Sequence, residues 1–173
     1  MHLTPGMIQD LKSVSEMSTR KGWEYAGALD IVNRKGVWIY RGIKYNTSKH
    51  RMHVEREHWD SPVIFHTHPG ISGNYVTLPS NADFNNSELN KINIICDNLG
   101  FYVIKVYNDK LPKNVMEGVR RDPFLRLRQV SDKGMEYFTI NDLREWKTFI
   151  NRELNPYLLS LHGVDLKYRE YIA

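Results

Sequence analysis

The sequence predicts an α/β domain in which helices cover a β-sheet. Three observations lead there: apolar residues at helical spacing near both ends, two β-like stretches joined by a short polar turn, and a continuous apolar segment at Pro62–His66. At 173 residues the chain can bury one substantial core, and it shows no repeat, low-complexity tract or linker-like shift in composition. We therefore read 1–173 as a single domain, with a core over 1–110 and a helical extension over 111–173.

Thr4-Pro5 serves as N-cap and first helical position, and Met7, Ile8, Leu11 and Val14 recur at helical spacing before Gly22 ends the pattern. This predicts a helix over roughly 5–20. Trp23–Val32 and Gly36–Tyr45 follow as strands, joined at Asn33-Arg34-Lys35-Gly36, whose polar residues and glycine suit an antiparallel hairpin. Met52–Glu57 reads as a further short strand. Val63, Ile64 and Phe65 have the unbroken apolar character of a strand buried on both faces, which places it centrally.

His68–Pro79 has no usable period and carries prolines and glycines, so it reads as a loop. Ser80 is a good N-cap, and Leu89, Ile92, Ile95 and Cys96 at helical spacing predict a helix running to about Asn98, stopped by Gly100. Phe101–Tyr107 is the next strand, and Asn108-Asp109-Lys110 a turn. Asn114–Val130, interrupted at Pro123, and Asn141–Leu161 read as helices. Leu143, Trp146, Phe149, Ile150, Leu154 and Leu158 form the apolar stripe of the second.

A composition of 41% hydrophobic and 25% charged residues is that of a soluble globular protein, and no apolar run approaches a membrane span. The first twenty residues lack the apolar core of a secretory signal, and a single cysteine cannot form an internal disulfide. Both point to the cytoplasm or nucleus. The 24 basic and 20 acidic residues are interspersed, and the densest basic stretch, Arg120, Arg121, Arg126 and Arg128, falls short of a nucleic-acid-binding stripe.

The chemistry concentrates between Glu24 and Asp83. His66 and His68 alternate at strand spacing, so both imidazoles project from one side of the chain. A catalytic zinc takes three protein ligands of nitrogen and oxygen type and keeps a position for water, and Asp83 is placed to supply the third. Glu24, at a predicted strand start, is the candidate base for such a centre. Ser80 stands three residues before Asp83, where a hydroxyl can serve a developing oxyanion. The ordinary reading of a serine there is an N-cap, and one hydroxyl cannot fill both roles without compromise.

Taken together, Glu24-x-x-Gly27-x-Leu29, His66-Thr67-His68-Pro69 and Leu78-Pro79-Ser80-x-x-Asp83 resemble the JAMM metalloprotease family, also called MPN+ or JAB. The resemblance implies a mixed sheet flanked by helices, an architecture akin to cytidine deaminases. It also implies His66, His68 and Asp83 as ligands of one Zn²⁺, Glu24 as general acid and base, and Ser80 as oxyanion stabiliser. The implied activity is a deubiquitinase-like isopeptidase or peptidase acting at the C-terminus of ubiquitin or a ubiquitin-like protein. Pro69–Ala82 is longer by four than the family spacing, which we read as an insertion within Gly70–Thr77 that extends the rim of the site.

Rival readings are a peptidase of the same type acting on cell-wall peptides, small amides or sulfur-carrier conjugates, and a zinc-containing scaffold or nucleic-acid-binding module without activity. The terminal helices offer a surface for a protein partner. His50, His53 and His58 lie in a charged stretch without the HExxH arrangement and read as surface residues, and His2 and His162 have no partner pattern. Cys96 reads as a buried thiol on an apolar helical face, and the PCxxC element of a cytidine deaminase is missing.

Overall fold

The computed structural model describes residues 2–48 and 61–171. The strand expected at Met52–Glu57 and the histidines 50, 53 and 58 lie outside the described residues.

Helix α1 spans Pro5–Lys21, and the Thr4 hydroxyl accepts the Met7 N–H, so the cap read from the sequence is formed. Met7, Ile8, Leu11 and Val14 are buried along one face. Strands β1 (Glu24–Arg34) and β2 (Val37–Ser48) pair antiparallel. Their turn places Lys35 and Gly36 at φ of 53° and 81°, two consecutive positive values that match the right-handed twist of a hairpin. Gly27 is demanded by the same pairing, because a Cβ there would lie 1.8 Å from the Lys44 carbonyl oxygen.

Strand β3 (Val63–Thr67) lies antiparallel to β1 on one side and parallel to β5 (Ile92–Cys96) on the other. Strand β4 (Tyr75–Val76) and helix α2 (Asn81–Asn85) fall between them. Beyond β6 (Gly100–Val106) come helices α3 (Glu117–Arg120) and α4 (Pro123–Arg126), then the hairpin of β7 (Gln129–Asp132) and β8 (Met135–Thr139). Helix α5 (Leu143–Thr148), a π-helical segment (Phe149–Leu154) and α6 (Asn155–His162) are contiguous, and β9 (Val164–Glu170) closes the described chain. The order β2-β1-β3-β5-β6-β9 makes one six-stranded mixed sheet, and β4-β8-β7 makes a second of three strands.

Two apolar clusters sandwich the large sheet. On one face α1 packs on Tyr25, Leu29, Val63, Phe65, Ile94 and Phe101. On the other, Trp146, Phe149, Ile150, Leu154 and Leu158 cover Ile95, Tyr102, Ile104, Leu166 and Tyr168, so the predicted apolar stripe is the docking face. Asn151 and Asn155, from the same helical run, hydrogen-bond the main chain of β9. The Asn151 side chain accepts the Tyr168 N–H at 2.7 Å and donates to the Tyr168 carbonyl at 3.1 Å, while Asn155 donates to the Leu166 carbonyl at 2.8 Å.

Two sequence expectations are corrected. The helix expected to run to Asn98 stops at Asn85, and Ile92–Cys96 is instead a central strand, so Cys96 is buried on a strand rather than on a helix face. Its neighbours β3 and β6 and the two clusters bury both faces, and such a strand carries no alternation to set it apart from a helix. Residues 111–173 are not a helical extension alone. They hold three strands, of which β9 pairs with β6 over seven residues, so the main sheet does not end near 110.

Candidate metal centre

Strand β3 delivers His66 and His68 at its carboxyl end. Ala26 of β1 and Ile95 of β5 are the register partners of His66, and the His68 N–H donates to the Cys96 carbonyl at 2.8 Å. Thr67, between the two histidines, points to the opposite face. Its hydroxyl accepts the Tyr25 N–H at 2.9 Å and donates to Ser18 of α1 at 2.8 Å, which pins the start of β1 beside the end of β3. The β1–β3 pairing ends at Ala26–His66, so Glu24 begins β1 two residues from a ligand's register partner. The Glu24 carboxylate is near enough to favour the charged form of the His68 imidazole.

Helix α2 supplies Asp83. Ser80 caps it, with its hydroxyl accepting the Asp83 N–H at 3.2 Å while the Asp83 carboxylate accepts the Ser80 N–H at 2.7 Å. The cap uses the Ser80 oxygen as acceptor and leaves its hydrogen as a donor. The two roles weighed from the sequence are therefore compatible rather than exclusive. Phe84 seats the helix in the core, and the Met116 N–H donates to Asn81 at 2.7 Å. Asn93 of β5, 3% exposed, donates to both the Asp83 carbonyl and the Ser87 hydroxyl, each at 3.0 Å.

The ligand atoms of His66, His68 and Asp83 all lie within 4.8 Å of one another, a group that could hold a metal ion. His66 Nε2 is 2.5 Å from Asp83 Oδ1, and His68 Nε2 is 3.4 Å from Oδ2. Ligands about 2.0–2.2 Å from a tetrahedral ion stand roughly 3.3–3.6 Å apart, so the second pair, on the other carboxylate oxygen, already has that spacing and the first need open by about 1 Å. Two imidazoles and one carboxylate form a donor set suited to a borderline divalent cation. Burial alone would raise the Asp83 carboxyl, yet the charges and hydrogen bonds of His66 and His68 hold it well below the usual carboxylate range. For His68, burial opposes protonation, and the hydrogen bond and charge of Asp83, with smaller contributions from Glu24 and Asp97, outweigh it and raise the pKa.

The loop after His68 is tied down more than the sequence suggests. β4 pairs with β8, and the Tyr137 hydroxyl donates to the Pro69 carbonyl at 2.9 Å. Within the stretch read as an inserted rim, only Ser72–Asn74 are exposed, and Val76 and Thr77 are buried. Thr77, Asn93, Asp97 and Tyr137 were missed as parts of the site. Of these, Asn93 alone carried a signal, as the one amide inside the apolar run Ile92–Cys96. His2 is exposed at the start of the described chain, and His162 ends α6, so neither joins the cluster.

Among the described residues, no helix is long and apolar enough to cross a membrane. No protein-family model, curated protein or solved structure matches this chain.

Proposed function

We propose that this chain is a zinc-dependent hydrolase of the JAMM type, an isopeptidase or peptidase. The observation that carries the reading is the convergence of His66, His68 and Asp83 at the end of a central strand, with Glu24 two residues from the Ala26–His66 pair and Ser80 beside the carboxylate. A six-stranded mixed sheet between helices is compatible with the JAB-like fold that the five polar positions imply.

When bound, Zn²⁺ would lower the pKa of a coordinated water and polarise the substrate carbonyl. His66 and His68 would hold it through Nε2 and Asp83 through its carboxylate. Glu24 takes the proton of the attacking water and returns it to the nitrogen of the broken amide, so that the bond from water oxygen to carbonyl carbon replaces the carbon–nitrogen bond. Ser80 donates its free hydroxyl hydrogen to the oxyanion that develops on the substrate. We take the substrate to be the extended C-terminal tail of ubiquitin or a ubiquitin-like protein joined to an amine, and the working compartment to be the cytoplasm or nucleus.

The test uses purified protein, a panel of ubiquitin and ubiquitin-like conjugates, and Glu24→Gln. Cleavage that a chelator abolishes and Zn²⁺ restores, and that Glu24→Gln loses by at least about a hundredfold while retaining one equivalent of zinc, supports the reading. Zinc binding without turnover of any conjugate refutes the activity, and absence of zinc binding refutes the centre.

A further inference from the structure

Thr77 lies in the stretch between the histidines and the Ser80 cap, 3% exposed, and each of its polar groups has a partner on a different element. Its hydroxyl is 3.2 Å from His68 Nδ1. Its N–H donates to Asp97 at 3.3 Å, and its carbonyl accepts the Tyr102 hydroxyl at 2.5 Å. These partners are themselves held. Asp97 accepts the N–H groups of Leu99 and Gly100 at 2.9 Å and the Tyr168 hydroxyl at 3.0 Å, and Trp146 Nε1 donates to the Tyr102 oxygen at 3.0 Å. Through Tyr102 of β6 and Asp97, just past β5, the groups of α5 and β9 thus brace one threonine that touches one ligand imidazole.

An imidazole that gives Nε2 to a metal must carry its proton on Nδ1, and that proton needs an acceptor when the ring is buried. His68 is buried, Nε2 is its nitrogen on the Asp83 side, and Thr77 Oγ1 is the acceptor within reach of the other. We infer that Thr77 is a positioning residue for the metal centre: its hydroxyl accepts the His68 Nδ1 proton and keeps Nε2 turned toward His66 and Asp83. The Asp97 and Tyr102–Trp146 contacts hold the threonine backbone so that the hydroxyl stays in register. The inference rests on the metal reading of the preceding section, but not on the activity.

The experiment measures zinc affinity of the full chain by competition with a chromophoric chelator, together with long-range ¹H–¹⁵N correlation spectra of the zinc-loaded protein. Wild type should show His68 bound through Nε2 with a protonated Nδ1. Thr77→Val, which keeps the shape and removes the acceptor, should bind zinc about ten- to a hundredfold more weakly, and Thr77→Ser should stay within about threefold of wild type. Equal affinity of wild type and Thr77→Val, or His68 bound through Nδ1 in wild type, would overturn the inference and leave the metal centre standing. Absence of zinc binding in wild type would overturn both. Should Thr77→Val not fold, a wild-type spectrum with His68 bound through Nδ1 still overturns the inference, and Thr77→Ala read against Thr77→Ser supplies the affinity comparison.

Discussion

Asn93→Ala removes the two hydrogen bonds by which the centre of the sheet grips the helix that carries Asp83. Both are 3.0 Å long and come from one amide nitrogen that is buried. A net contribution near 1 kcal/mol per bond gives about 2 kcal/mol. The Asp83 carbonyl keeps a second donor in the Ser87 hydroxyl at 2.8 Å, so no orphaned-acceptor penalty is added. Urea unfolding with chelator present should show a midpoint lower by about 1 M at an m-value near 2 kcal/mol/M, with the m-value itself unchanged. In a chain of this size the thermal midpoint should fall by about 4–8 °C. Asn93→Asp is the sharper variant, since it keeps the volume but turns a carboxylate toward the Asp83 carbonyl. It should cost more than alanine at pH 7. Its folded pKa lies above its unfolded value, so the loss should shrink as the pH falls through that raised value. An Asn93→Ala stability within about 0.5 kcal/mol of wild type, or an Asn93→Asp protein as stable as the parent, would refute the argument that this amide holds the helix in place.

Three further outcomes are expected. Gly27→Ala should cost about 2–3 kcal/mol or more, or give no soluble protein, because a methyl group would sit against the Lys44 backbone; a variant that melts with wild type would show that the hairpin can relax. Burial pushes the Cys96 thiol far above its ordinary pKa, so Ellman's reagent should leave the native protein unlabelled and react fully in denaturant; rapid native labelling would contradict that placement. Arg41 donates two hydrogen bonds of 3.1 Å to Asp30 and lowers that carboxyl below its usual value near 3.8. For this partly exposed pair, Arg41→Ala should lose up to about 1 kcal/mol above pH 4, and the gap should close as the pH drops through the lowered folded value; a gap independent of pH would rule out the carboxylate as its source.

What the sequence made legible follows where burial is one-sided. α1 and the apolar stripe over Leu143–Leu158 each keep one face in the core, whereas the β1–β2 hairpin, whose Tyr25–Leu29 are buried on both faces, was marked by its polar turn; each was found at nearly its observed place. The central position of β3 was also legible, because its apolar run is short and bounded. Ile92–Cys96 failed for the opposite reason: with both faces buried, Ile92, Ile95 and Cys96 fall at helical spacing by chance. The three isoleucines, β-branched and close together, were the better guide. The β7–β8 hairpin was hidden because Gln129, Val130 and Ser131 are exposed and give no apolar alternation, though Lys133-Gly134 takes the same pair of positive φ values as the first turn. β9 was missed despite a clear signal, since Val164, Leu166 and Tyr168 point inward while Lys167 and Arg169 point out. The ligand set needed only strand parity and a helix start. Its supports at Thr77 and Asp97 depend on tertiary neighbours far along the chain, which local pattern does not carry.

The amides of Asn151 and Asn155 imitate a neighbouring strand: they occupy outward main-chain groups of β9 that would otherwise template a further chain. That margin of the sheet is sealed by side chains. The opposite margin, β2, is guarded by charge, with Arg41 and Lys44 projecting there beside exposed Trp38 and Ile39. Among the described residues, strand addition to the six-stranded sheet therefore has its opening at β2, and neutralising those two cations would favour it.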